Sequence, residues 1–362
     1  MTRNPGLYIH IPFCTSFCPY CDFYKVRADE KLAGKYKEAA LSVAASFSDM
    51  FSDRVFDTVY FGGGTPSCMD GDLLSDLLRG LRGCFSISDN AEITVECNPS
   101  SNLETFLPKV AEAGVNRVSL GLQSATDAER RALGRVADAA RAASAVKTVR
   151  AAGIDNISLD VMLGVPNQTK ESLADTLKFC INLEIPHISA YMLKLEEGTV
   201  FYDRRDRLNL PDEDEVCDLY ELTCDILETA GIKQYEISNF AVPGFESRHN
   251  LKYWNDEEYL GIGPAAHSFA DGKRFFFEPD INKFIDCPEI TDDGEGGSLK
   301  EKIMLGLRLT KGVGGLDPLL LAEIDKRNDL KPYVEISDGV LRLNRAGFMV
   351  SNRVISEILE MI

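Results

Sequence analysis

The chain is short of basic charge and of long apolar runs. Against 57 Asp and Glu it sets 39 Lys and Arg, a formal net charge of −18 with its four His neutral. A surface that acidic repels phosphate backbones, which argues against nucleic acid as a main partner. No stretch approaches the roughly 18 consecutive apolar residues that cross a bilayer. The opening MTRNPGLYIHIPFC lacks an apolar run behind a basic start, so it does not read as a secretory signal. Ten Cys in 362 residues are too sparse for a disulfide-dense scaffold. No internal repeat or low-complexity tract stands out. What is present is a long chain, 44% hydrophobic, able to bury a substantial core. It is expected in a reducing cytoplasm, as one large domain or one with an appendage.

The first 200 or so residues alternate two periods. Short β-rich runs at 7–11, 58–61, 93–96, 117–120, 157–161 and 187–192 read as strands. Segments with helical spacing lie between them, at 32–51, 73–81, 103–113, 137–151 and 173–183. Helical connections imply parallel pairing, with strands buried on both faces. An α/β barrel, full or partial, and an open doubly wound sheet both satisfy that pattern. Ligands of either fold collect at the carboxyl ends of the strands, and the unusual residues fall there: Cys14, the Gly62-Gly63-Gly64-Thr65 run, Glu96, Gln123 and Asp160.

Cys14, Cys18 and Cys21 sit in the loop after the first strand, amid Phe13, Phe17, Pro19, Tyr20, Phe23 and Tyr24. Three close thiolates can hold one soft metal centre. Structural zinc normally takes four ligands, and no fourth stands nearby. A disulfide would leave one thiol over. A four-iron cubane held by three cysteines keeps one iron open to a small molecule, and an aromatic shell shields its sulfurs. CTSFCPYC resembles the Cys-x3-Cys-x2-Cys signature of the radical S-adenosylmethionine (SAM) enzymes. The resemblance implies a [4Fe–4S] cluster on these cysteines and SAM chelated to the fourth iron, where an electron cleaves it to a 5′-deoxyadenosyl radical. It also implies a partial (β/α)6 barrel, matching the six strands.

Glycines let a backbone approach a ligand closely. Alone, the Gly62–Thr65 run is as well explained by a tight turn, and Glu96, Gln123, Arg135 and Asp160 singly by solvated charge or core-edge hydrogen bonding. Gathered at one mouth they suit a zwitterionic, ribose-bearing ligand. YIHIPFC, FGGGTPS, VECNP, RVSLGLQS and SLDVMLGVPNQT resemble the oxygen-independent coproporphyrinogen III dehydrogenases and their relatives. That resemblance implies that Tyr8, Tyr20, Gly63, Gly64, Thr65, Glu96, Gln123, Arg135 and Asp160 line the SAM site.

Two departures separate the chain from those dehydrogenases: Phe23 stands where they carry a further cysteine, and the motif begins at Tyr8 without their amino-terminal extension. A third feature is Arg248-His249-Asn250-Leu251-Lys252-Tyr253-Trp254, with the chain's single Trp. A lone His beside aromatics is ordinarily a satisfied core residue, yet imidazole between flat rings can also ligate haem iron. His-Asn-x-x-Tyr-Trp resembles the signature of the HemW-type haem chaperones. The resemblance implies haem bound through His249, delivery of that haem to an acceptor haemoprotein such as a membrane-bound respiratory enzyme, and no assigned catalytic residue; a homodimer is compatible with the sequence, which does not fix the oligomeric state. The runner-up is the dehydrogenase itself, or another radical SAM enzyme. Of the other histidines, His267 is the next candidate ligand, His10 faces the cluster loop and His187 is structural.

After residue 200 the alternation fades. Residues 211–231 read as a helix and 288–298, with DDGEGG, as an exposed linker. Division is expected at 295/296. The segment beyond, helices around a β pair near 340–343 and a last helix from Met349, resembles a winged-helix α+β module. Its 10 Lys and Arg against 9 Asp and Glu lack the basic footprint of a DNA reader, which leaves a packing or partner role.

Overall fold

The computed structural model describes residues 4–362. Six parallel strands carry the first half: β1 (Gly6–Ile11), β2 (Val55–Gly63), β3 (Ser86–Cys97), β4 (Arg117–Gln123), β5 (Asn156–Leu163) and β6 (His187–Met192). Between them run α1 (Glu30–Ser46), α2 (Gly71–Cys84), α3 (Leu103–Glu112), α4 (Ala139–Ala151) and α5 (Lys170–Asn182). The period of two sorts the strand residues. Leu7, Ile9 and Ile11 pack outward into the core under the helices, while Tyr8 and His10 turn to the lumen, where Tyr8 meets Tyr60 and His249. Register stacks the lumen in rows, one of which runs Tyr8–Tyr60–Thr94–Arg117–Asn156.

Beyond the expected helix over 211–231, the chain up to residue 295 differs from the sequence expectation. After α6 (Glu213–Thr229) come β7 (Lys233–Gln234), β8 (Asn239–Ala241), α7 (Arg248–Trp254), β9 (Tyr259–Ile262), β10 (His267–Ala270), β11 (Lys273–Phe277) and β12 (Ile290–Glu295). All six strands join the same sheet, whose order is β12-β11-β10-β9-β1-β2-β3-β4-β5-β6-β8-β7. Strand β9 pairs parallel with β1, so seven strands run parallel, and the others add antiparallel edges. The expected exposed linker at 288–298 therefore contains a strand. Its side chains are almost all exposed, so it is held by backbone pairing with β11 and carries no alternating apolar signal.

The tail holds α8 (Leu299–Gly306), β13 (Val313–Gly314), α9 (Pro318–Lys326), β14 (Val334–Ser337), β15 (Val340–Leu343) and α10 (Ser351–Leu359), with the three strands forming a sheet of their own. Ile303, Leu341, Phe348 and Ile358 belong to the same continuous hydrophobic core as the barrel. Arg345 reaches Asp225 and Glu228 on α6. No helix among the described residues is long and apolar enough to cross a membrane.

Candidate functional site

The cysteine loop leaves β1 through a short extended piece, Phe13–Cys14, paired parallel with Val26–Arg27. Val26 N donates to Pro12 O at 2.7 Å and Ala28 N to Cys14 O at 3.0 Å, so the loop closes on its own base. Cys21 N donates to Cys18 O at 3.3 Å, which places the last two cysteines on one bend. Cys14 is buried, Cys18 and Cys21 are half-buried, and all three are free. Burial raises the Cys14 and Cys21 thiols, and the neighbouring sulfurs act on each. Among the described residues no three His, Cys, Asp or Glu close around a single metal ion. The donor set is nonetheless three mutually interacting thiols on a loop free of regular structure at Cys18 and Cys21, with Lys25 and Arg135 as nearby positive charge. That chemistry fits a soft sulfur-bridged centre, which needs a wider triangle than one ion.

The glycine turn ends β2 against this loop. Gly63 has φ +108°, and a Cβ there would lie 2.5 Å from the His10 ring. One at Gly64 would lie 2.8 Å from Phe13 O. Only glycine meets both demands. Gly64 N donates to Ile11 O at 2.7 Å and Thr65 N to Phe13 O at 2.8 Å, while Thr65 Oγ1 lies 3.5 Å from Cys14 Sγ.

Carboxylates line the lumen below. Glu96 accepts from Tyr60 OH at 2.8 Å and from Gly63 N at 3.2 Å, and burial followed by the charge of Asp160 pushes it up to about 7. Asp160 accepts from Ser119 Oγ at 2.9 Å and is also raised by burial. Gln123 sits at a β-bulge between β4 and β5 with φ +69°, a left-handed conformation that a non-glycine residue adopts at a cost of about 1 kcal/mol or more. Arg135 donates to Gly121 O beside that bulge and to Cys18 Sγ at 3.8 Å, tying the bulge to the cysteine loop. The Tyr20 ring packs against Phe201, and burial raises its hydroxyl. Tyr8 OH lies 3.0 Å from His10 Nδ1, and His10 Nε2 lies 3.1 Å from Tyr24 O in the cysteine loop.

His249 is elsewhere. Its Nδ1 is 2.8 Å from Thr58 Oγ1, five residues before Gly63, so about 16 Å along β2 separates it from the glycine turn. Its Nε2 is 2.8 Å from Tyr253 OH, and the residue is 1% exposed. Burial, then Lys252 and Arg117, lower the imidazole to about 3, so it is neutral. Glu92 accepts from the backbone N of Arg248 and of His249 at 3.1 and 3.0 Å, anchoring the start of α7 under the barrel. In this arrangement neither ring nitrogen is offered to an iron. Ligation requires Tyr253 to leave Nε2, with Thr58 then orienting Nδ1. His187 bridges Ser158 and Tyr235 inside the lumen, and exposed His267 stacks on Phe276.

Sequence reasoning missed Tyr60, Glu92, Arg117 and Ser119, all lumen residues. Their signal was register: Tyr60 stands beside Tyr8, and Ser119 beside Glu96.

A parallel barrel whose carboxyl-end mouth gathers three loop cysteines, a glycine turn and buried carboxylates defines the radical SAM class, and the profile of the Radical SAM superfamily matches residues 8–180. Coproporphyrinogen III oxidase (HemN) from Escherichia coli, a radical SAM enzyme, superposes with a TM-score of 0.84 at 21% identity, over 100% of this chain and 91% of its own, which establishes the shared fold. The heme chaperone HemW of Lactococcus lactis is 35% identical over 322 residues, 86% of this chain and 84% of its own length. That of Bacillus subtilis is 33% identical over 374 aligned residues, 96% and 97% of the two lengths. The chain belongs to the HemW-type family of the radical SAM superfamily.

Proposed function

We propose that this protein is a cytoplasmic haem carrier that delivers haem to an acceptor haemoprotein. The observation that carries the reading is the identity to heme chaperones HemW along nearly the whole chain, tail included. Cys14, Cys18 and Cys21 would hold a [4Fe–4S] cluster, which supplies electron transfer and an open iron. SAM would lie over Gly63, Gly64 and Thr65, with its polar groups met by Glu96, Gln123, Arg135 and Asp160 and its rim by Tyr8 and Tyr20. Glu96, half-protonated near neutrality, can donate or accept at that ligand as its charge demands. Residues 296–362 form the partner-facing unit, and the working state is a homodimer.

His249 enters as an axial ligand through opening of the Tyr253 contact. Tyr253→Phe removes that contact and should strengthen a His249-dependent Soret band, which His249→Ala abolishes. The carrier reading itself is tested by mixing anaerobically prepared, haem-loaded protein with an apo-haemoprotein. Transfer of haem without formation of protoporphyrinogen from coproporphyrinogen is the expected result. Protoporphyrinogen turnover would instead establish the dehydrogenase.

A further inference from the structure

Among the described residues the largest fully buried side chain is Arg117, 2% exposed, in the barrel lumen. Its charge is felt by Glu96, Asp160 and His187 in the rows above it and by His249 below. None of these accepts its protons. Glu96 is committed to Tyr60 and Gly63 N, Asp160 to Ser119, His187 to Ser158 and Tyr235, and His249 to Thr58 and Tyr253. Arg117 Nε has no hydrogen-bond partner at all, and its two register neighbours share the defect: Thr94 Oγ1 on β3 and Asn156 Oδ1 on β5 are buried and unpartnered. Buried polar atoms are rarely left alone, and a buried guanidinium least of all. Three adjacent positions of one row therefore lack a common polar partner.

The mouth above is open at its rim, where Tyr191, near the carboxyl end of β6, is 41% exposed.

We propose that this row is a carboxylate subsite, in which the Arg117 guanidinium and the Thr94 hydroxyl donate to a propionate-type carboxylate of the cargo and anchor it in the lumen. A guanidinium offers a fork matched to a carboxylate, and Thr94 adds a donor at its side. Asn156 supplies the adjoining acceptor for a water or for a protonated acid. The choice of a propionate rests on the haem-carrier reading, because haem bears two propionate arms.

The test uses the full chain with its cluster reconstituted under anoxia. Haem and haem dimethyl ester, in which both carboxylates are capped, are titrated by Soret absorbance into wild type, Arg117→Gln and Arg117→Lys. Wild type should bind haem at least about tenfold more tightly than the ester, a gap that Arg117→Gln erases and Arg117→Lys keeps in part. Equal binding of the two by wild type overturns the subsite while leaving haem carriage intact, and means that the row holds only water. If wild type takes up neither porphyrin, the carrier reading fails, and sodium propionate then tests the row directly. A higher thermal midpoint with propionate in wild type but not in Arg117→Gln sustains the subsite. No such shift overturns it.

Discussion

The two ends of the same lumen are built to opposite rules. At the lower end, α7 closes the barrel with partners for its buried groups: Glu92 accepts its first N–H groups, both His249 nitrogens are held, and Lys252 meets Asp57 at 2.7 Å and Asn4 O. At the upper end, two raised carboxyls, a left-handed Gln123 and a partly exposed triad of thiols coexist with an open mouth. The lower end is finished by the chain itself. On the proposed reading a bound ligand finishes the upper end, which would account for the strain and desolvation its residues carry.

The sharpest way to break that contrast is at the thiols. Changing Cys14, Cys18 or Cys21 to Ser should reduce iron from about four per chain to near zero, with thermal unfolding of the barrel little changed. Unfolding on loss of any one would mean that the cluster loop carries the fold. At the other end the opposite pattern is expected. Lys252→Met takes the near cation from half-buried Asp57, which keeps only Arg248 at 3.6 Å, and should lower stability by about 2 kcal/mol in urea unfolding while leaving iron content untouched.

Glu96 sharpens the comparison through pH. Its folded value of about 7 lies above the ordinary 4.5, so between those values the native state holds a proton that the unfolded chain has released. Stability from this group is full below pH 4.5 and lost as pH rises through 7. Glu96→Gln should therefore raise stability at pH 8 by on the order of 2 kcal/mol, show no gain at pH 4, and weaken SAM. Glu236 is also raised to about 7 by burial, and Glu236→Gln should give a similar stability gain with SAM affinity unchanged. The smallest effect is expected at the bulge. Gln123→Gly relieves the left-handed backbone and should stabilise by about 0.5 kcal/mol while weakening SAM, a trade that isothermal titration beside urea unfolding would register.

The parallel half was legible because its strands are apolar runs and its helices carry capping signals, as at Asp29, Asp70 and Thr169. The second half was not. Strands β7 and β8 are two and three residues long, and β12 is TDDGE-rich and exposed, so what defines them is pairing with distant chain and not side-chain pattern. The site splits in the same way. Cysteines and glycines announce themselves by type and spacing, and Gly63 takes a conformation, φ +108°, that glycine favours. Arg117 does not, since an arginine inside RVSLGLQS reads as a strand edge until register sets it beside Thr94 and Asn156.

The most direct measurement is the electron paramagnetic resonance spectrum of the reduced, anaerobically reconstituted protein with and without SAM. An iron left open by three cysteines should give a [4Fe–4S]+ signal whose shape changes when SAM is added, and the change should persist in His249→Ala. A signal indifferent to SAM, or altered as much by His249→Ala as by the ligand, would contradict an incomplete upper end and a self-sufficient lower one.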